Sequence, residues 1–279
     1  MKRTTQTMLD LGDFVEAPGR RVYRSVLTAR CNLKGVLDVD TVKGCELGLR
    51  AYPDGGCYGE CYALKTARQY GIDFSTSINR CLYPSTVVDV FWTVKNYPAT
   101  WYRVGTAGDP CHDWEHSISV CEELKPAGKT PVFITKHWRT MTDAQLNRLS
   151  ELGAVVNTST SGLDTEGELR HRVGQIERLQ ACGVVSVCRV VTCRFGNSEW
   201  ARECNDRQEW LLQLRPVIDN PLRARKSNPR VVSGDVLLER CKGAIGGGKM
   251  VSLHSHSVYI GACGGCPDQC GVADNSRGL

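Results

Sequence analysis

The chain has 279 residues, 41% of them hydrophobic and 23% charged, with a formal net charge of +5. That is enough for one large α/β domain with a full core, and no run approaches the ~18 apolar residues needed to span a bilayer. The opening segment, MKRTTQTMLDLGDF, has no continuous apolar stretch of the kind a secretory leader uses, so a reducing cytoplasmic setting and no membrane partner are expected. Fifteen cysteines in that setting point to metal ligation and burial rather than to a disulfide framework.

After a polar arm over residues 1–35, short β-branched runs alternate with helical patterns. Val36–Val42 (VLDVDTV) is predicted as a strand leading into a cysteine loop, and Cys61–Tyr70 as the helix that closes it. A helix over Thr86–Val94 and a strand over Trp101–Val104 follow. Next come helix Ser117–Leu124, strand Pro131–Thr135 and helix Thr142–Leu152, with Thr142 at the N-cap. Strand Ala154–Thr158, helix Thr165–Ala181, strand Val184–Val191 and helix Ser198–Leu214 complete the series. Asn220–Arg230 (NPLRARKSNPR) is basic, bounded by proline and expected to be irregular.

Repeated strand-then-helix units with short connections imply a parallel sheet with right-handed crossovers. About six units fit a partial (β/α)6 TIM-like barrel over residues 36–235, with residues 236–279 as a cysteine-rich metal-binding appendage. Ligands of such sheets sit at the carboxyl ends of the strands, where both the first cysteine loop and the loop Gly105–Pro110 fall.

Two groups of cysteines carry the chemistry. Cys45, Cys57 and Cys61 lie in GCELGLRAYPDGGCYGECYALKTA, and Cys263, Cys266 and Cys270 in GACGGCPDQCG. Each group offers three soft sulfur ligands in glycine-rich backbone that can wrap closely around an inorganic centre. Three thiolates can hold three irons of a four-iron cluster and leave the fourth open, or supply three of the four ligands of a zinc. Cys61 stands at a predicted helix N-terminus, where the dipole favours a thiolate. In the tail an auxiliary iron–sulfur cluster and a structural zinc are both open, with Cys241, His254 or His256 as a fourth ligand. A cluster at each site would bring the charge to about +3, mildly basic and compatible with a nucleotide or nucleic-acid partner.

Other matches are set aside. Cys182, Cys188, Cys193 and Cys204 straddle a strand and a helix at spacings that fit burial. The stretch Gly243–Lys249 has the spacing of a phosphate-binding loop, but Met250 stands where Ser or Thr would bind magnesium and a strand-like segment follows. Arg223, Arg225, Lys226 and Arg230 read as a solvated basic loop.

Read in chain order, GGCYGECYALKTA, RVGTAGDP (Arg103–Pro110), VFITKHWR (Val132–Arg139), VNTSTSGLD (Val156–Asp164) and CRVVTCRF (Cys188–Phe195) together resemble the radical SAM superfamily. Within it they are most similar to small phage and bacterial members related to spore photoproduct lyase. The first resembles the cluster loop and the second the glycine motif that receives the amino and carboxylate groups of S-adenosylmethionine. The third resembles a Thr-Lys signature, the fourth a strand whose polar residues reach the ribose and methionine carboxylate, and the last a strand with a cofactor arginine. The family's compact C-x3-C-x2-C is replaced here by Cys45-x11-Cys57-x3-Cys61, which requires a longer loop.

The resemblance implies that Cys45, Cys57 and Cys61 hold a [4Fe-4S] cluster whose fourth iron binds S-adenosylmethionine. Gly105, Thr106, Ala107 and Gly108 would offer unhindered backbone to its methionine moiety. Asp109 would accept from the ammonium or simply cap a tight turn. Lys136, Asn157, Ser159, Ser161 and Arg189, at or near strand ends, would contact the cofactor. The implied activity is generation of a 5′-deoxyadenosyl radical to modify or rearrange a nucleobase or nucleotide, as in phage-type DNA base hypermodification. Its partner would be an electron donor such as flavodoxin or ferredoxin, in the host cytoplasm if the gene is phage-borne. Two other readings stay open: a zinc-dependent base-exchange enzyme on DNA or RNA with Asp109 as nucleophile, and a non-catalytic metal-stabilised nucleic-acid-binding protein.

Overall fold

The computed structural model describes residues 26–45, 58, 61–69, 71, 79–80, 84–238, 250–251 and 263–272. The strands, in chain order, are β1 (Ala29–Cys31), β2 (Leu37–Val39), β3 (Val42–Lys43), β4 (Asn79–Arg80), β5 (Trp101–Val104) and β6 (Thr130–Thr135). They continue with β7 (Val155–Thr160), β8 (Val185–Thr192), β9 (Arg194–Phe195), β10 (Val217–Arg223), β11 (Val236–Leu237) and β12 (Met250–Val251). The α-helices are α1 (Tyr62–Gln69), α2 (Pro84–Asn96), α3 (Trp114–Leu124), α4 (Asp143–Glu151), α5 (Glu166–Ala181), α6 (Glu199–Leu211) and α7 (Pro229–Val232).

The architecture is mixed α/β, built on one mostly parallel eight-stranded sheet in the order β1-β2-β5-β6-β7-β8-β10-β12. Strands β2, β5, β6, β7, β8 and β10 run parallel, and β1 and β12 flank them as antiparallel edges. Among the described residues no pairing joins the two edges, so the sheet is open. Successive side chains of a strand point to opposite faces, and the two faces here differ in chemistry. Outward-facing Leu37, Val39, Tyr102, Val104, Phe133 and Val156 pack under α2, α3 and α4 in the largest apolar cluster. Farther along, Cys188 and Val190 pack under α5 and α6. The inward face begins with an apolar layer of Val36, Trp101, Val132, Val155 and Val187. One step towards the carboxyl ends it turns charged, with Asp38 beside Arg103 on β2 and β5 and Arg189 beside Ser159 on β8 and β7.

Helix starts follow local chemistry. Thr142 and Thr165 each close a reciprocal capping box, with Gln145 and Glu168, and the Ser198 side chain accepts from the Ala201 amide. The Asp113 side chain accepts from the His116 amide, so α3 begins at Trp114, ahead of the predicted Ser117.

Two expectations need correction. The predicted strand Val36–Val42 is two strands, because the Asp40 side chain turns aside to accept from the amides of Thr106 and Ala107 at 2.9 and 2.7 Å. β3 then pairs with β4 in a separate ribbon. Segment 220–230 is not irregular throughout: residues 217–223 form β10, parallel to β8, and Asn228 caps α7. Pro221 lies opposite Thr192 of β8, one residue before β10 begins to pair with the edge strand β12. The described part of the tail packs against the sheet. Cys263, Cys270 and Val272 pack on the inward apolar layer, and the Asn157 amide donates to the Cys270 carbonyl at 2.8 Å. A Cβ on Gly271 (φ +92°) would meet Val187 Cγ2 at 2.6 Å. At the other end, β1 pairs with β2, so the sheet begins before residue 36.

His137, directly after β6, is fully buried with its ring centroid 5.3 Å from that of Trp114. Burial pushes its imidazole down to about 3; Asp109 opposes this, and His171, Arg172 and Arg178 reinforce it. The unfolded imidazole titrates near 6.5, so below that pH the unfolded chain binds a proton that the folded chain refuses. The contribution is complete above pH 6.5 and is lost as pH falls towards 3, at about 1.4 kcal/mol per pH unit. Urea unfolding should therefore show a loss of ~2 kcal/mol between pH 6.5 and 5 that His137→Asn removes. An equal pH slope in the variant would show that another group carries it.

Candidate functional site

A cavity of about 630 Å³ opens over the carboxyl ends of the parallel strands. Of the residues singled out in the sequence, Cys45, Cys61, Gly105, Thr106, Gly108, Asp109, Lys136, Ser159 and Arg189 line it. Asn157 and Ser161 do not. Cys57, Cys241, His254, His256 and the stretch 243–249 lie outside the described residues.

The loop after β5 is built by close backbone approach. Gly105 has φ +96°, and a Cβ there would meet the Ile134 carbonyl at 2.6 Å. A Cβ on Gly108 would meet the Val42 carbonyl at 2.5 Å, because Gly108 forms a parallel bridge with Gly44. This contact, with the Gly44 amide donating to the Ala107 carbonyl at 3.1 Å, welds the loop to the segment that ends in Cys45. The Thr106 and Ala107 amides are engaged by Asp40 rather than presented to a ligand. Burial raises the Asp40 carboxyl above its ordinary range against the pull of those two donors.

Asp109 takes the turn-capping role of its two sequence readings. Its carboxylate accepts from the Cys111 amide at 3.1 Å, from Thr135 Oγ1 at 2.7 Å and from the Lys136 amide at 2.8 Å. A carboxylate committed to three donors is a poor nucleophile, which counts against base exchange through Asp109. The same turn carries His112, whose Nε2 lies 3.3 Å from Cys45 Sγ. Cys61 Sγ accepts from the Leu64 amide at the start of α1. Cys45 and Cys61 share a small apolar cluster with Ala63, Leu64, Ala67 and Trp138. They therefore form one wall of the cavity. Among the described residues no three metal-ligating side chains converge on one point.

Lys136 belongs to a buried network that the sequence did not disclose. Its Nζ hydrogen-bonds Tyr58 Oη, lies 4.1 Å from the Tyr58 ring centroid and is 3.4 Å from Asp164 Oδ1. Tyr58 Oη donates to the same carboxylate oxygen at 2.8 Å. Arg172, only 1% exposed, reaches Asp164 Oδ2 at 2.5 Å and donates from Nε to the Lys136 carbonyl at 2.7 Å. Burial works to raise the Asp164 carboxyl, but Lys136, Arg172 and the hydrogen bonds outweigh it and hold it below the usual carboxylate range. Ser161 is structural: its amide donates to Asp164 Oδ2 at 2.8 Å and its hydroxyl to the Val191 carbonyl at 2.8 Å. Asn157 is structural too, tying down the tail at Cys270.

Lys34, Asp38, Tyr58 and Arg103, to which the sequence assigned no role, also line the cavity, and so does Arg223, expected in a solvated loop. A usable signal was present: Asp38, Arg103 and Arg189 are single charges inside otherwise apolar strands, LDV, WYRV and VCRVV. The remaining cysteines divide as burial predicts. Cys111 and Cys193 are pushed well above the ordinary thiol value by burial, and Cys188 is pushed up to about 11. Cys204 is buried and Cys182 half-buried.

Asp164→Asn would leave Lys136 and Arg172 sharing a neutral partner in the interior. Removing one member of a buried ion pair costs ~3–5 kcal/mol, so urea unfolding should register a loss of that size. A loss below about 1 kcal/mol would mean that solvent screens the network.

Compared with protein-family models the chain matches none, and a comparison with curated proteins likewise finds no match.

Proposed function

We propose that this chain is a radical SAM iron–sulfur enzyme, on a partial (β/α)6 barrel, that modifies a nucleobase or nucleotide. One observation carries the reading: Cys45 and Cys61 share a cavity with the 105–109 loop, Lys136, Ser159 and Arg189, at the carboxyl edge of a parallel sheet. These residues come from segments far apart in the chain, in the order in which the motifs resemble that family.

The donor set fits such a group in kind. Two soft thiols border one cavity, and the third of the motif, Cys57, falls in the same segment. A cluster with S-adenosylmethionine, when bound, supplies a 5′-deoxyadenosyl radical that takes a hydrogen atom from the substrate. The chain's own part is to bind, orient and exclude water. Ser159 and Arg189 offer donors from neighbouring strands, and Lys136 brings a positive charge that Asp164 and Tyr58 hold in place. Ile134, Val191, Leu222 and Trp138 give the cavity apolar walls. Cys263, Cys266 and Cys270 are proposed as a second metal site, an auxiliary cluster or a zinc, and a flavodoxin- or ferredoxin-type donor supplies electrons.

The test is metal and sulfide content of anaerobically purified protein, then dithionite reduction with S-adenosylmethionine and assay of 5′-deoxyadenosine. About four irons per chain are expected for one cluster and about eight for two, with cleavage observed. Cys61→Ala should abolish cleavage while circular dichroism stays native. Zinc without iron, and no cleavage, would overturn the proposal.

A further inference from the structure

Besides Lys136, the cavity holds four cations: Lys34 from the β1–β2 turn, Arg103 on β5, Arg189 on β8 and Arg223 at the end of β10. Arg103 is matched, because its Nε and Nη2 reach the two oxygens of Asp38 at 2.7 and 3.0 Å. Among the described residues the one partner of the Arg189 guanidinium is a neutral amide, Asn220 Oδ1 at 3.1 Å. No ion pair among the described residues engages Lys34, Arg189 or Arg223. These charges act on one another. Arg223 is lowered by burial first and then by Arg189, with Cys263 opposing and Arg103 adding to it. Lys34 and Arg189 are half-buried and Arg223 is exposed at the rim; gathering such cations without a counterion is unfavourable, and a bound anion offsets it.

The cavity has two chemically distinct ends. The Lys34 carbonyl accepts from the Cys263 amide, which places Lys34 beside the tail and the inward apolar layer. Cys45 and Cys61 instead lie with Trp138 in their own cluster. A carboxylate carries one negative charge and would leave the cation end strongly positive, whereas a phosphomonoester carries about −1.5 to −2 near neutral pH. Guanidinium forks also match phosphate geometry. A nucleic-acid strand presents one charge per phosphate and calls for cations strung along a groove. Here they line one cavity.

We infer that Lys34, Arg189 and Arg223 form the phosphate site of a nucleoside monophosphate, so that the substrate is a free nucleotide rather than a base within a strand. The inference rests on the proposed reading of the cavity as a nucleotide-modifying site. With its phosphate on these cations, the nucleotide extends its sugar and base towards the wall formed by Cys45, Cys61 and Trp138.

Equilibrium dialysis of the full chain tests this, using each common deoxynucleoside 5′-monophosphate, its nucleoside, and a short single-stranded oligonucleotide without a terminal phosphate. At least one monophosphate should bind about tenfold or more tightly than both its nucleoside and the oligonucleotide. Lys34→Gln and Arg223→Gln should each weaken monophosphate binding about tenfold and leave nucleoside binding unchanged, with native circular dichroism confirming that both fold. Equal binding of monophosphate and nucleoside would overturn the inference. So would oligonucleotide binding as tight as monophosphate binding, or a phosphate preference that survives both substitutions. Because binding is read without turnover, a protein that shows the preference but releases no 5′-deoxyadenosine would sink the radical proposal and leave the phosphate site standing.

Discussion

The buried carboxylate of Asp164 ties the cysteine-bearing segment to the sheet. It gathers Tyr58 from that segment, Lys136 from the end of β6, Arg172 from α5 and the Ser161 amide from the end of β7. None of these groups is cheap to bury alone; as a paired set they hold one another in a single geometry. Asn228 adds a second tether by donating to the Tyr58 carbonyl at 3.0 Å. The rim of the cavity near Cys45 and Cys61 therefore inherits its shape from an ion network rather than from regular secondary structure.

Other carboxylates do similar work nearby. Asp40 and Asp109 hold the loop after β5 by its backbone, and Asp38 is matched to Arg103. Asp38, Asp40, Asp109 and Asp164 are thus committed to internal partners, while Lys34, Arg189 and Arg223 are not paired with any described carboxylate. The electrostatic character of the cavity comes from this division of labour, not from the modest net charge of the whole chain.

What the sequence disclosed was what short-range chemistry decides. The caps at Thr142, Thr165 and Ser198 rest on side chains that bond three residues ahead, and the helices they start lie close to prediction. β5 over Trp101–Val104 needs only its own β-forming residues. The misses were decided by distant partners. β10 is a strand because β8 pairs with it, despite a proline and arginines that read as a loop. The strand predicted over residues 36–42 breaks at Asp40, whose partners lie more than sixty residues away. The site shows the same limit. Asn157 and Ser159 sit two apart on one face of β7, yet the tail covers Asn157 and leaves Ser159 to the cavity.

The cysteines make the same point in chemical terms. Cys121 is pushed up to about 12 and Cys188 to about 11, burial being the largest cause for each. Such thiols stay protonated near neutral pH, and a protonated thiol neither ligates a metal nor attacks an electrophile readily. Cys188 lies on the outward face of the sheet and Cys121 on α3, each in an apolar cluster between sheet and helices that a small hydrophobe fills. Cys45 and Cys61 border open space instead, on a wall with Trp138 and within reach of His112. A high cysteine count alone could not separate these classes, because residue type is the same in both. The separation follows from surroundings: Cys121 and Cys188 lie in apolar clusters between sheet and helices, whereas Cys45 and Cys61 come from connecting segments and line the cavity.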